Sequence, residues 1–76
     1  MEEMTWNYRV LSRATPSGED VWYSVYEVYY DADGNPVNCS ETEVSPYGET
    51  LEELLADLKK FAAAVEKPVL RWEDFA

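Results

Sequence analysis

The carboxylates of this chain are the side chains best suited to chemistry, and most of them lie in its middle. Residues 14–58 contain eleven Asp and Glu side chains but neither lysine nor arginine, so the net charge of −10 resides in this segment. A field of one sign attracts a basic partner and repels nucleic acid and anionic membranes. Because Lys and Arg contacts to phosphate supply most nucleic-acid affinity, direct binding of nucleic acid is not expected. The charge pattern instead predicts a basic protein surface as the partner.

Neither metal binding nor catalysis is predicted from these residues. Asp31 and Asp33 resemble the first ligands of a calcium-binding loop. However, Pro36 occupies the position of the loop glycine, and Thr42 replaces the bidentate glutamate. Cys39 has no histidine to activate it, and paired carboxylates that could hydrolyse a glycoside find little room for a substrate cleft in 76 residues. We therefore expect a protein that is not an enzyme and carries no metal or cofactor.

Three carboxylates have no evident structural role and are candidates for binding. Acidic residues at the start of a helix complement its dipole, and those in turns stabilise the turn. After these are set aside, Glu27, Glu41 and Glu43 remain. On a strand, Glu41 and Glu43 would share a face at a separation of roughly 6.7 Å. A solvated acidic face is the plain alternative, although mixed charges serve solubility equally well.

The elements that position these residues are predicted to begin with an antiparallel meander. Residues 5–13 alternate between apolar and polar side chains, and residues 21–30 are rich in β-branched and aromatic ones. The pair Asp33-Gly34 predicts a hairpin turn, which leads into a third strand over residues 37–44. A two-residue turn would place Glu41 opposite Tyr26 and Glu43 opposite Ser24, whereas a bulge at Gly34 would shift this register by one residue.

A helix is predicted to follow the meander. Thr50 and Glu53 have the spacing of a capping box, and Pro68 ends the helix near Glu66. One apolar stripe along this helix comprises Leu51, Leu54, Leu55, Leu58, Phe61, Ala62 and Val65. The order β-β-β-α, with a short apolar C-terminal tail, predicts a single α+β domain over residues 1–76.

The second predicted strand is apolar on both faces, which bears on binding. One helix covers only one face of a three-stranded sheet, so the other face needs a cover. The C-terminal tail with Leu70, Trp72 and Phe75, a second copy of the chain, and a partner are all open alternatives. An uncovered tyrosine face beside carboxylates has the composition of a binding surface. The predicted partner-binding residues are Tyr23, Glu27, Tyr29, Asp31, Asp33, Glu41 and Glu43.

Several segments of the chain also match patterns seen in known families. Residues 48–54 resemble the sheet-to-helix junction of HicB-type antitoxins, although no second DNA-binding domain follows the helix. The longer match comprises Thr5-Trp6-Asn7-Tyr8-Arg9-Val10, Glu27-Val28-Tyr29-Tyr30-Asp31, Asp33-Gly34, residues 48–54 and Lys67-Pro68-Val69-Leu70. With these pieces the chain resembles a largely uncharacterised group of small acidic bacterial and phage proteins that includes type I-C anti-CRISPR proteins. That resemblance implies binding to a crRNA-guided surveillance complex, with a Cas backbone subunit as the partner.

Charge and resemblance together predict a small acidic inhibitor that docks on a basic, nucleic-acid-binding surface and blocks it. An antitoxin-like or housekeeping interaction module is the alternative, and a homodimer through an open aromatic face is a third possibility. The acidic start Met1-Glu2-Glu3 differs from a secretory signal, and the chain has no apolar run long enough to span a bilayer. With a single cysteine as well, a cytoplasmic protein is expected.

Overall fold

Four strands and one α-helix form the fold, as a computed structural model of residues 5–75 shows. The elements are β1 (Thr5–Ala14), β2 (Val21–Tyr30), β3 (Pro36–Cys39), α1 (Leu51–Val65) and β4 (Leu70–Arg71), followed by a 3₁₀ turn over Trp72–Asp74. The predicted α+β class is confirmed. Met1, Glu2 and Glu3, on which the expectation about a secretory signal depends, lie outside the described residues.

The strands form one mixed sheet in the order β3-β2-β1-β4. β1 and β2 pair antiparallel over their whole length, from Thr5 opposite Tyr30 to Ala14 opposite Val21. β4 adds to the free edge of β1 in the parallel direction, with Leu70 beside Leu11. The apolar tail therefore contributes a strand, which extends the predicted three-stranded meander to four strands.

The main core lies on one face of this sheet. Residues directly opposite in an antiparallel pair point to the same face, and Leu11, Tyr26 and Val28 meet there with no exposed surface. The C-terminal residues Leu70, Trp72 and Phe75 are among those that pack against this cluster. Full burial of an aliphatic side chain stabilises a fold by about 1.5–3 kcal/mol. The C-terminal tail, and not a second copy of the chain or a partner, therefore covers the face that the helix leaves free.

The helix lies on the opposite face, over β1. Phe61 of α1 packs against Tyr8 with a ring-centroid distance of 4.6 Å. The helix begins as predicted, because the Glu53 amide donates to Thr50 Oγ1 at 3.1 Å. Glu53 Oε1 then accepts from the amide of Glu49 at 3.2 Å, one residue before the N-cap. Gly48 is required in this junction, since a Cβ there would overlap the backbone of the first helical turn.

The prediction of a single apolar stripe along the helix is wrong, because the stripe divides in two. Leu54 and Phe61 are half-buried against the sheet, and Ala64 is fully buried. The remaining members form a second row that solvent reaches, with Leu51, Leu55, Leu58 and Val65 all exposed. Apolar residues span more of the helix circumference than the narrow surface of β1 can cover.

The molecule is broad and flat, with principal extents of 41 × 35 × 21 Å. Its radius of gyration is 13.6 Å, whereas a compact chain of this length would have about 11 Å. Among the residues described, no helix combines the length and the apolar character needed to cross a membrane. The shape follows from a hairpin of two ten-residue strands, which is thinly covered on its helix-bearing face.

Candidate functional site

Strand β2 places three of the predicted binding residues on the helix-bearing face of the sheet. Glu27 is directly opposite Tyr8 in β1, and Tyr23 and Tyr29 share its face because successive side chains alternate. The Tyr29 hydroxyl donates a 2.6 Å hydrogen bond to Glu27 Oε1. This bond to the Glu27 carboxylate raises the pKa of the Tyr29 phenol above its ordinary value. Tyr23 is instead accessible to a partner, because 65% of its surface is exposed.

The third strand is shorter than predicted, and this changes the placement of Glu41 and Glu43. β3 ends at Cys39 instead of continuing to residue 44. The Ser40 amide still donates to the Glu27 carbonyl, but the next bond to β2 is made by Val44, whose amide donates to Val25 at 2.9 Å. Residues 41–43 therefore leave the sheet as an exposed excursion.

Ser40 gives a physical reason for this excursion. Its hydroxyl accepts from the Glu27 amide at 3.2 Å and donates to the Thr42 carbonyl at 2.9 Å. A side chain thus replaces the backbone in the ladder, as Ser readily does. The predicted pairs of Glu41 with Tyr26 and Glu43 with Ser24 do not form, and the two glutamates do not share the face of a strand.

The hairpin between β2 and β3 is also longer than predicted. Instead of a two-residue Asp-Gly turn, residues 31–35 form a loop in which the Asp31 amide donates to the Asn35 carbonyl at 3.0 Å. Gly34 has a φ of 83°, which favours glycine. The register follows the predicted offset at Tyr29, opposite Asn38, and shifts by one residue at the hairpin end, where Tyr30 lies opposite Pro36.

Asp31 organises this loop, whereas Asp33 is open to a partner. Asp31 Oδ1 accepts from the amides of Asp33 and Asn35, each at 2.9 Å. These bonds, first of all the one from Asn35, hold the pKa of the Asp31 carboxyl below its ordinary value. Asp33 is exposed at the tip of the loop. Asp31 is therefore mainly a structural residue, and Asp33 is the acidic group presented there.

The acidic segment is not neutralised from within the molecule. In residues 5–75 a single ion pair is found, between Arg71 and Glu73 at 3.9 Å, and it lies outside the acidic segment. The two arginines of β1 are engaged elsewhere. Arg9 donates to the Tyr30 hydroxyl and the Pro68 carbonyl, and the guanidinium of Arg13 lies 3.7 Å from the ring centroid of Trp72. None of the carboxylates of residues 14–58 is therefore paired with a cation of the described residues.

The predicted set is thus partly assembled. Glu27, Tyr23 and Tyr29 share one face, and the Glu41–Glu43 excursion borders β2 at Val25 and Glu27. Asp31 lies about 26 Å along the strand direction from Tyr23. Together these residues, with Asp33 at the hairpin tip, form what we call the acidic edge: Tyr23, Glu27, Tyr29, Asp31, Asp33, Glu41 and Glu43.

Two other surfaces contrast with the acidic edge. A cleft of about 420 Å³ between β1 and α1 is lined by Trp6, Asn7, Tyr8, Lys60, Ala63 and Lys67, and it contains no carboxylate. Sequence reasoning also missed the exposed row of leucines on α1, although its regular spacing is visible in the sequence. Within the described part of the chain, no group of three or more His, Cys, Asp or Glu side chains is placed to hold a metal ion.

Comparison with known proteins gives no relative for this fold. No family model matches the chain, and neither a curated protein nor a solved structure matches it. The geometry and charge of the acidic edge are therefore the main structural guide to function.

Proposed function

We propose that this protein binds a basic, nucleic-acid-binding surface of another protein through its acidic edge and blocks that surface. The observation that carries the proposal is the absence of ion pairs from the acidic segment within residues 5–75. These carboxylates are not paired with a Lys or Arg of their own chain, so no ion pair has to break before a Lys or Arg of a partner binds them. Binding is the whole of the proposed activity, with no catalytic step and no cofactor.

The acidic edge would act mainly through its electric field. Complementary fields raise the association rate and select basic partners over neutral ones. The acidic edge holds five carboxylates over about 26 Å along the direction of β2, whereas DNA carries one charge per roughly 1.7 Å of axis. Mimicry of DNA is therefore partial, and the field alone does not account for tight binding.

Tyr23 and Glu27 supply the contacts that a field does not. Tyr23 is the more exposed of the two, and tyrosine contributes large contact area at low entropic cost. Glu27 is oriented by its 2.6 Å bond from Tyr29, which leaves its second oxygen available to a guanidinium or ammonium group. Because Tyr23 and Glu27 are four residues apart on β2, roughly 13 Å, they would contact different side chains of the partner. A guanidinium or ammonium group would bond Glu27, and an arginine could stack on the ring of Tyr23.

The specific target we propose is a Cas backbone subunit of a type I surveillance complex, with target-DNA binding as the blocked step. This choice depends on the resemblance of several segments to small acidic proteins that include type I-C anti-CRISPR proteins. A cytoplasmic site of action is part of the proposal, since Cys39 has no second cysteine in the chain with which to form a disulfide.

The test measures target-DNA binding by a purified type I-C surveillance complex in a gel-shift assay with added protein. We expect inhibition at low salt that weakens at high salt, since exposed charges are screened. The double variant Glu41→Gln/Glu43→Gln should inhibit less. The matched control Glu19→Gln/Asp20→Asn removes the same charge from the β1–β2 turn, outside the acidic edge, and should inhibit nearly as well as the parent.

Two results would contradict the proposal. DNA binding that is unaffected by saturating protein would exclude the type I target, and capture of a small basic toxin in its place would favour the antitoxin-like alternative. Equal losses in the variant and its control would show that net charge matters and the acidic edge does not.

A further inference from the structure

Helix α1 presents a row of apolar side chains that the fold does not use. The exposed fractions are 85% for Leu51, 54% for Leu55, 44% for Leu58 and 68% for Val65. With Ala62, which is also exposed, these residues recur at intervals of four, three, four and three. That is the spacing of the contact positions in a coiled coil.

The direction of this row makes it accessible to another molecule. The positions that meet the sheet are Leu54, Phe61 and Ala64, on the same arc as Asp57. At 3.6 residues per turn, the centre of the exposed row lies roughly 100° around the helix from that arc. A second helix can therefore pack along the row while α1 keeps its contacts with β1.

We propose that the row is a self-association surface, at which α1 packs antiparallel against α1 of a second copy of this chain. The spacing is self-complementary, so one row fits its own copy around a two-fold axis, and an isologous dimer results. The contact in this arrangement sets Leu55 of one protomer beside the partner's Leu58, and Leu51 beside the partner's Ala62.

The charges beside the row select this partner and this direction. Glu52 and Lys59 lie seven residues apart, on the same flank of the row. In the antiparallel register Glu52 faces the partner's Lys59, and two-fold symmetry repeats the pair. In a parallel dimer, Glu52 and Lys59 of one protomer would instead face the opposite flank of the partner helix. That flank carries Leu54 and Phe61, which contact the sheet, so no such ion pairs would form.

The exposed surface of the monomer is consistent with a missing interface. The accessible surface is 5710 Å², whereas a compact monomer of 8.8 kDa exposes about 4,800 Å². The difference is close to the roughly 800 Å² that each partner contributes to a standard interface. An interface over α1 would remove part of this excess from solvent.

Sedimentation of the full chain over a range of concentrations tests the proposal. We expect a dimer for the parent and a monomer for Leu55→Glu, whose side chain is half exposed, so the fold should persist by circular dichroism. Glu52→Lys and Lys59→Glu should each weaken the dimer roughly fivefold or more, because both symmetric pairs become repulsive. An equimolar mixture of these two variants should restore it, since each lysine then faces a glutamate.

A variant of the acidic edge distinguishes a failure of the dimer from a failure of the proposed function. Glu41→Gln/Glu43→Gln lies outside α1 and should leave the dimer unchanged, whatever it does to partner binding. A parent that sediments as a monomer at about 1 mM would overturn the proposal. A dimer that survives Leu55→Glu but dissociates on Tyr23→Ser would overturn it in favour of the sheet face, and a mixture that restores nothing would exclude the antiparallel register.

Discussion

The Tyr8 hydroxyl donates a 3.0 Å hydrogen bond to Asp57 Oδ1, across 49 positions of sequence. The second oxygen of Asp57 accepts from the amide of Tyr47 at 2.9 Å. One carboxylate thereby joins β1, the segment before the helix and the helix itself. Because few side chains of α1 are buried, this polar junction and the Tyr8–Phe61 contact hold the helix in place.

Removing the Asp57 carboxylate should release the helix from the sheet. Asp57→Ala leaves both the Tyr8 hydroxyl and the Tyr47 amide without their acceptor, which costs about 1–3 kcal/mol in the free energy of unfolding. Urea denaturation measures the change. The control Glu19→Ala removes an exposed carboxylate from the turn between β1 and β2 and should alter stability by less than about 0.5 kcal/mol. Similar effects for both variants would contradict the role assigned to Asp57.

The same junction should make stability fall at alkaline pH. Burial, followed by the bond to Asp57, raises the pKa of the Tyr8 phenol above its ordinary value of 10.0. A raised folded-state pKa gives stability that is complete below the unfolded value and is lost as the pH rises through the folded one. Urea midpoints measured from pH 8 upwards should therefore hold until the pH approaches 10 and decline above it, and those of Tyr8→Phe should decline less steeply. The decline should not vanish in this variant, because the pKa of Tyr29 is raised as well.

Acid should act on the hairpin loop through Asp31. The pKa of this carboxyl is lowered from 3.8 chiefly by the Asn35 amide. Its stabilising contribution is therefore complete above the unfolded-state pKa and is lost as the pH falls through the lower folded-state value. Chemical shifts of the Asn35 amide should follow this titration. Asp31→Ala should abolish it, whereas Asp33→Ala should leave it in place; a titration unchanged in Asp31→Ala would contradict the assignment.

Removal of the hydroxyl group should have different effects on stability at Tyr26 and Tyr30 of β2. The Tyr26 hydroxyl is buried and has no hydrogen-bond partner in residues 5–75, so Tyr26→Phe should leave stability unchanged or raise it by about 1 kcal/mol. The Tyr30 hydroxyl accepts from Arg9 at 2.9 Å and donates to Asn7 at 2.7 Å. Tyr30→Phe should lower stability by about 1–2 kcal/mol. Thermal or urea unfolding of the pair, with the parent as reference, is the measurement.

Local signals in the sequence were sufficient for most element boundaries. The bounds of β2 and the N-cap at Thr50 follow from β-branched and aromatic composition and from the capping box, both of which act over a few residues. The predictions were wrong where a side chain competes with the backbone. Asp31 captures two loop amides and Ser40 replaces a ladder bond, and neither event changes the pattern of apolar residues that predicted β3.

Tertiary choices were also beyond the sequence pattern. Helical spacing identified the apolar positions of α1 but not which arc of them meets β1, so Leu54 and Leu55 looked equivalent. The same limit applies to the acidic edge. Glu41 and Glu43 could be selected as carboxylates without a structural role, but their position depends on where β3 leaves the sheet.

The pairing of β4 with β1 has a consequence for the order of folding. Ser12 bonds to the Leu70 carbonyl, and the Ala14 amide bonds to the Glu73 carboxylate, across 58 and 59 positions. Contacts of such separation carry a large loop-closure entropy and form late. The β1–β2 hairpin can therefore assemble first, while Leu11, Tyr26 and Val28 stay uncovered until residues 70–75 dock. Docking of this segment is therefore the step that closes the main core, and the apolar sheet face is open to solvent before it.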